Sequence, residues 1–197
     1  MNKSGDDNRS VRNTKARLYA ALMALLRDRP INEISVKELT ARADVNRGTF
    51  YFHYSDVYAM LGSIEDNFIA TLSAVMSRTA PTDRETAFQY LTDLFRFIGD
   101  NSEFCAILLG EHGDMQFLRR ITALAGEKCT SLWGVLVPSA DARTCEMLNA
   151  FIINGCIGLI RFWLNSGLRE TPEELSEVAL VLIARGLRSM GYSTPAT

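Results

Sequence analysis

The sequence predicts an all-α fold of about nine helices. Apolar residues recur every three or four positions in several windows, only five prolines interrupt 197 residues, and strictly alternating runs of Val, Ile and Thr bounded by turn residues are missing. With 47% apolar residues the chain has ample material for a core, which excludes general disorder.

The elements follow in order. Residues 1–9 are polar and read as a disordered arm. From Ser10 or Asn13 to about Arg27, the positions Leu18, Ala21, Leu22, Leu25 and Leu26 form one helical face, and Asp28-Arg29-Pro30 stops it. Ser35 with Glu38 makes a capping-box pair, opening a second helix to about Ala43. After Asp44-Val45-Asn46, a third helix occupies Arg47 to His53 with Asn46 as its cap. A long fourth helix, Ser55 to about Ser77, aligns Leu61, Ile64, Phe68, Leu72 and Val75.

After Pro81, the pair Thr82 and Glu85 opens a fifth helix to about Gly99, and a short sixth runs from Ser102 to near Gly110. Gly113 to about Gly134 is the seventh. A corner at Pro138-Ser139 precedes an apolar eighth helix, Ala140 to Asn165, ended by Gly167. Thr171-Pro172-Glu173-Glu174 combines cap, first-turn proline and capping box for the ninth. The expected domains are an arm over 1–9, a three-helix unit over 10–54 and a larger helical body over 55–197.

Charge is unevenly placed. Residues 1–56 hold ten Lys+Arg against seven Asp+Glu, a balance of +3, so with a net charge of -2 the remainder carries -5. A basic head on an acidic body suits a protein that touches phosphates with one end. Cys105, Cys129, Cys145 and Cys156 are far apart with no CxxC pair, which argues against a disulfide framework or zinc site. The first residues carry no apolar run of signal type. The greasiest stretch, Ala150 to Leu164, is broken by Asn154 and Arg161 and reads as too short for a bilayer. The expectation is a soluble cytoplasmic protein with no membrane partner, metal or cofactor.

Ile34 to Tyr54 carries the chemistry. Two short helices joined by a tight turn are the geometry of a major-groove reading head, because a helix of about 10–12 Å fits a groove of about 12 Å. Val36, Leu39, Ala43, Val45 and Phe50 are spaced to bury, leaving the others outward. Arg47 can donate twice to guanine O6 and N7, and Lys37 can reach a base or a phosphate. Ser35, Thr49, His53 and Tyr54 suit phosphate oxygens, Tyr51 and Phe52 could cover a thymine methyl or a sugar, and Gly48 permits close backbone approach. Short capped helices flanking a basic residue also occur in helical proteins that bind no DNA.

This segment, with Tyr58 and Leu61 beyond it, resembles the DNA-binding segment of the TetR family of bacterial transcriptional regulators. The similarity points to the branch that includes regulators of dihydroxyacetone kinase operons, where Val-Lys-Glu-Leu, Asn-Arg-Gly-Thr-Phe-Tyr and His-Tyr occur in similar order. The resemblance implies that Lys37, Arg47, Gly48 and Tyr51 face bases, and that Ser35, Thr49, Phe52, His53 and Tyr54 sit at the backbone of double-stranded DNA. Asp44 stands where many members have glycine, and Ser55 and Val57 stand where lysines are frequent.

The resemblance further implies a homodimer on a palindromic operator, acting as a repressor released by a small-molecule effector. The alternative is a regulator or activator controlled by a protein partner, such as a kinase subunit, docking on the body. For the dimer face, the eighth helix offers Leu148, Ile152, Cys156 and Leu159 and the ninth Val178 and Leu182. Filling the monomer core is the other reading of these stripes. For a pocket, the candidates are Phe68, Leu72, Phe95, Phe104, Met115, Phe117 and Trp163, with Trp133 as a further neighbour, although most such residues at helical spacing are core. His112 is a loop residue between carboxylates. No phosphate-cradling glycine loop, nucleophile elbow or metal-spaced His and carboxylate cluster suggests an enzyme.

Overall fold

The computed structural model describes residues 3–77, 82–110, 113–137 and 139–192, with backbone alone for 3–8 and 131–136. Pro81, His112 and Pro138 lie outside the described residues, as does the side chain of Trp133. Among the described residues there are nine α-helices and no strand: α1 (Lys3–Leu26), α2 (Val36–Ala43), α3 (Arg47–His53), α4 (Val57–Met76), α5 (Arg84–Asp100), α6 (Ser102–Leu108), α7 (Met115–Leu136), α8 (Ala142–Asn165) and α9 (Pro172–Ser189). A short 3-10 turn at Ile31–Glu33, entered through Pro30, joins α1 to α2. The first helix starts earlier than expected, reaching into the 1–9 stretch read as an arm.

The described fold has two compact units that divide at Asn67 and Phe68, inside α4, so the expected boundary at 54/55 falls within the first unit. In the first unit, α1 contributes Leu18, Leu22 and Met23 to a core completed by Leu39, Phe50 and Met60, all almost fully buried. In the second, α5 packs along α9, and two surface ion pairs cross between them: Arg84 to Glu177 at 2.6 Å and Arg96 to Glu173 at 2.7 Å. Exposed pairs of this kind contribute little once solvent screens them, so apolar packing holds the two helices. Phe68, Phe97, Phe104 and Phe117 form an aromatic cluster with ring centroids 5.0–5.8 Å apart. Trp163 stands edge-on to Phe95, and its indole N–H donates to the Glu170 carbonyl at 2.8 Å.

Local caps explain most helix starts. Thr171 and Glu174 form the expected reciprocal box, with Pro172 in the first turn. At α5 the box lies one residue later than expected: Asp83 caps and Thr86 reaches back, in place of Thr82 and Glu85. At α2, Ser35 accepts from the Glu38 N–H as expected, but the Glu38 carboxylate pairs with Arg29 instead of reaching back.

Taken whole, α8 is by length and composition apolar enough to cross a membrane, a longer span than the run Ala150–Leu164 read from the sequence. The helix is apolar on two faces, one turned into the second unit and the other to solvent, where Met147, Phe151 and Phe162 are exposed.

Candidate nucleic-acid interface

The turn between α2 and α3 sets the direction of α3, and Asp44 makes it. This residue adopts a left-handed conformation, φ 49°, costly for most side chains but tolerated by aspartate. Its N–H closes on Ala41 and Thr40, and the next N–H, that of Val45, donates to Thr40 at 2.9 Å. Arg17 on α1 holds the turn from outside, its guanidinium donating to the Asp44 carbonyl and, at 2.5 Å, to the carboxylate. Sequence reasoning gave Arg17 no such role, because its partner lies 27 residues away.

Asn46 then caps α3, accepting from the Gly48 N–H at 2.7 Å. Phe50 is fully buried and anchors the helix. This leaves Arg47, Gly48 and Thr49 exposed, with Tyr51 57% and Phe52 81% exposed. Lys37 and Ser35 are exposed on and just before α2. His53 and Tyr54 are half-buried; the Tyr54 ring leans on Phe50 with centroids 5.8 Å apart, and burial pushes its phenol pKa up. Thus seven of the nine expected contact residues are solvent-facing, and two lie at the edge of the first unit's core. Val57 is buried and presents nothing to a duplex.

A β-carbon added at Gly48 would meet only the Asn46 amide oxygen, at 3.2 Å. Nothing else within the first unit crowds this glycine, so its smallness is of use chiefly on the outer side of the helix.

In the second unit, helices α4, α5, α7, α8 and α9 line a half-open cavity of about 180 Å³. Leu72, Tyr90, Ile121, Cys129, Ile153 and Cys156 are among its walls, and no nitrogen or oxygen contributes surface to it. Of the seven expected pocket residues, only Leu72 lines this space. Phe68, Phe104 and Phe117 are spent on the aromatic cluster and Phe95 and Trp163 on each other, whereas Met115 at the start of α7 is 64% exposed. Burial raises the pKa of the Cys129 thiol to about 11, with Cys156 adding to the shift, and burial likewise raises those of Cys105, to about 12, and Cys156. Such thiols stay protonated and behave as apolar wall. Among the described residues no three His, Cys, Asp or Glu side chains gather to hold a metal.

The expected dimer stripe is largely an inner one. Leu148 is buried against Val137 and Leu187, Ile152 and Cys156 line the cavity, and Leu159 is half-buried. Val178 and Leu182 are exposed, Leu182 by 69%. The outer face of α8 is instead Met147, Phe151 and Phe162, with Gly155 and Gly158 between them exposed as well.

A three-helix unit with a pinned turn, a capped second helix and that helix's polar and aromatic side chains in solvent is a helix-turn-helix reading head. Comparison with known proteins agrees: residues 18–64 match the model for bacterial regulatory proteins of the tetR family, and residues 85–185 match a transcriptional regulator C-terminal region. The chain belongs to the TetR family of bacterial transcriptional regulators.

The chain is 36% identical over 175 residues to the uncharacterized HTH-type transcriptional regulator YxbF of Bacillus subtilis, covering 87% of this chain and 45% of that one. It is 31% identical over 96 residues to the HTH-type transcriptional regulator EthR of Mycobacterium tuberculosis, covering 47% and 42%. It thus spans less than half the length of these relatives. In fold it is similar to a TetR transcriptional regulator from Streptococcus agalactiae (TM-score 0.66, 22% identity, 92% of this chain and 99% of that one). The same holds for the Bacillus subtilis regulator FadR in complex with stearoyl-CoA (0.64, 14%, 87% and 98%) and the dihydroxyacetone kinase operon activator DhaS (0.59, 16%, 89% and 97%).

Proposed function

We propose that this protein is a cytoplasmic homodimer that binds a palindromic operator through α3 and represses transcription until a small-molecule effector enters the body. The observation that carries the reading is the division of labour on α3: Phe50 is fully buried, while Arg47, Thr49, Tyr51 and Phe52 stand in solvent. Arg47 reads guanine, and Lys37, Gly48 and Tyr51 lie beside it on the base-facing side. Ser35, Thr49, Phe52, His53 and Tyr54 hold the phosphodiester backbone in register.

One head covers few base pairs, so specificity requires two heads at half-sites one helical turn or a multiple apart. The outer faces of α8 and α9, with Phe151, Phe162, Val178 and Leu182, are assigned to the partner copy, since an exposed apolar surface of this kind calls for a cover. Effector binding in the cavity acts on Leu72 and Met76 of α4, the helix that carries the chain from one unit into the other, and so biases the spacing of the heads.

Selection from random duplexes should return a two-half-site sequence. Arg47→Ala should weaken that site by about 1–3 kcal/mol and relax one base preference; equal losses on every sequence would make Arg47 a phosphate contact. Sedimentation should give twice the 22.0 kDa chain, and Phe151→Glu should reduce it to one. A monomeric native protein would remove the two-half-site mechanism. Control by a docking protein is the competing reading, and it predicts operator release by that protein with the cavity filled or empty.

A further inference from the structure

The cavity in the second unit has walls of unusual uniformity for a binding site. Its lining side chains are Leu, Ile, Met, Ala, Cys and one Tyr, without a charged residue or an amide. Tyr90 contributes its ring, but its hydroxyl oxygen is buried with no hydrogen-bond partner and adds no surface to the wall. The two wall cysteines, Cys129 and Cys156, present neutral sulfur. A ligand group that left water for this space would find nothing to replace its hydration. A buried hydroxyl without a partner costs about 1–3 kcal/mol by mutational measures, and a carboxylate far more.

Size narrows the class as well. An engineered apolar cavity of about 150 Å³ in another protein stays dry and takes up benzene, so about 180 Å³ admits a single substituted ring or a hydrocarbon of similar bulk. Resting on the effector reading above, we infer that the ligand seated here is a compact, neutral, hydrocarbon-like molecule that brings no hydrogen-bonding or charged group into the cavity. Any polar head of a larger effector stays outside these walls.

Three probes of nearly equal shape test this on the full chain: toluene, phenol and benzoate, followed by calorimetric titration and by operator affinity at saturation. Toluene should bind, phenol roughly ten- to a hundredfold more weakly, and benzoate should give no saturable binding. Ala125→Phe, which fills the cavity from α7, should abolish toluene binding while helicity is kept; undiminished affinity would place the ligand elsewhere and overturn the inference.

Phenol binding as tightly as toluene, with Tyr90→Phe erasing the phenol affinity, would show the hydroxyl turning inward and also overturn the apolar class. Benzoate binding would do so in any protein background. Toluene binding with operator affinity unchanged would leave the ligand class standing and sink the effector reading instead. Failure of all three probes would overturn the inference, while the effector reading would stand or fall on operator release by other small molecules.

Discussion

The two units treat aromatic side chains in opposite ways. On α3 of the first, Tyr51 and Phe52 point to solvent beside a single buried Phe50; in the second, Phe68, Phe95, Phe104, Phe117 and Trp163 are all buried. Helical spacing is similar in both places, so the difference comes from how many helices surround each one. The short α3 is covered on one side by α2 and the rest of a small core, and its other faces have no neighbour within the unit. The inner faces of the body's helices are covered from several directions, and large rings there become filling, while Phe151 and Phe162 on the outer face of α8 stay in solvent. An aromatic left exposed on a helix face therefore points to a binding surface, on α3 as on the outer face of α8, while a ring buried in the bundle does not.

Four changes probe that contrast. The largest effect belongs to Phe50→Ala, which removes the one ring anchoring α3 and should cost about 3–5 kcal/mol. Thermal unfolding should then show the first unit melting ahead of the second, and a single unshifted transition would deny Phe50 that role. Next is Gly99→Ala in the body, where a β-carbon would lie 3.0 Å from the Trp163 ring. Overpacking of this kind costs about 1–3 kcal/mol, read from urea denaturation together with a change in tryptophan fluorescence.

A smaller effect depends on pH. The Cys129 thiol pKa is raised in the fold, from its ordinary 9.0 to about 11, so its contribution to stability is complete below about pH 9 and is lost as pH rises toward 11. The urea midpoint of the native protein should fall across that window, and Cys129→Ala should fall less steeply. An identical alkaline profile would mean that the thiol is solvated. Smallest in stability is Gly48→Ala, within about 1 kcal/mol of the native chain, since alanine favours helix and only the Asn46 cap oxygen is near. Its operator affinity should nevertheless drop, and affinity equal to the native protein's would show that the duplex does not approach Gly48 closely.

What sequence reasoning reached was local. The caps Ser35, Asn46 and Thr171 and the end of α8 follow from residue types a few positions apart, and the structure has each where the pattern puts it. Contacts between distant segments were not legible: Arg17 on Asp44 and Arg29 on Glu38 join residues that no short-range rule connects. Apolar periodicity is ambiguous on α8. That helix has two apolar stripes: the one from Leu148 to Trp163 faces inward, and the one through Met147, Phe151 and Phe162 stands in solvent. The cavity was hidden for a related reason. The expected aromatic residues pack on one another, and this vacancy is bounded by aliphatic side chains, thiols and the Tyr90 ring.

Val57 is worth following one step further. At the first turn of α4 it is packed into the first unit's core, at the position where the family resemblance implies a phosphate-contacting lysine. Each such contact adds about 0.9 to the slope of log affinity against log salt. In the proposed dimer two such contacts would be missing, so operator binding would respond to ionic strength with a flatter slope.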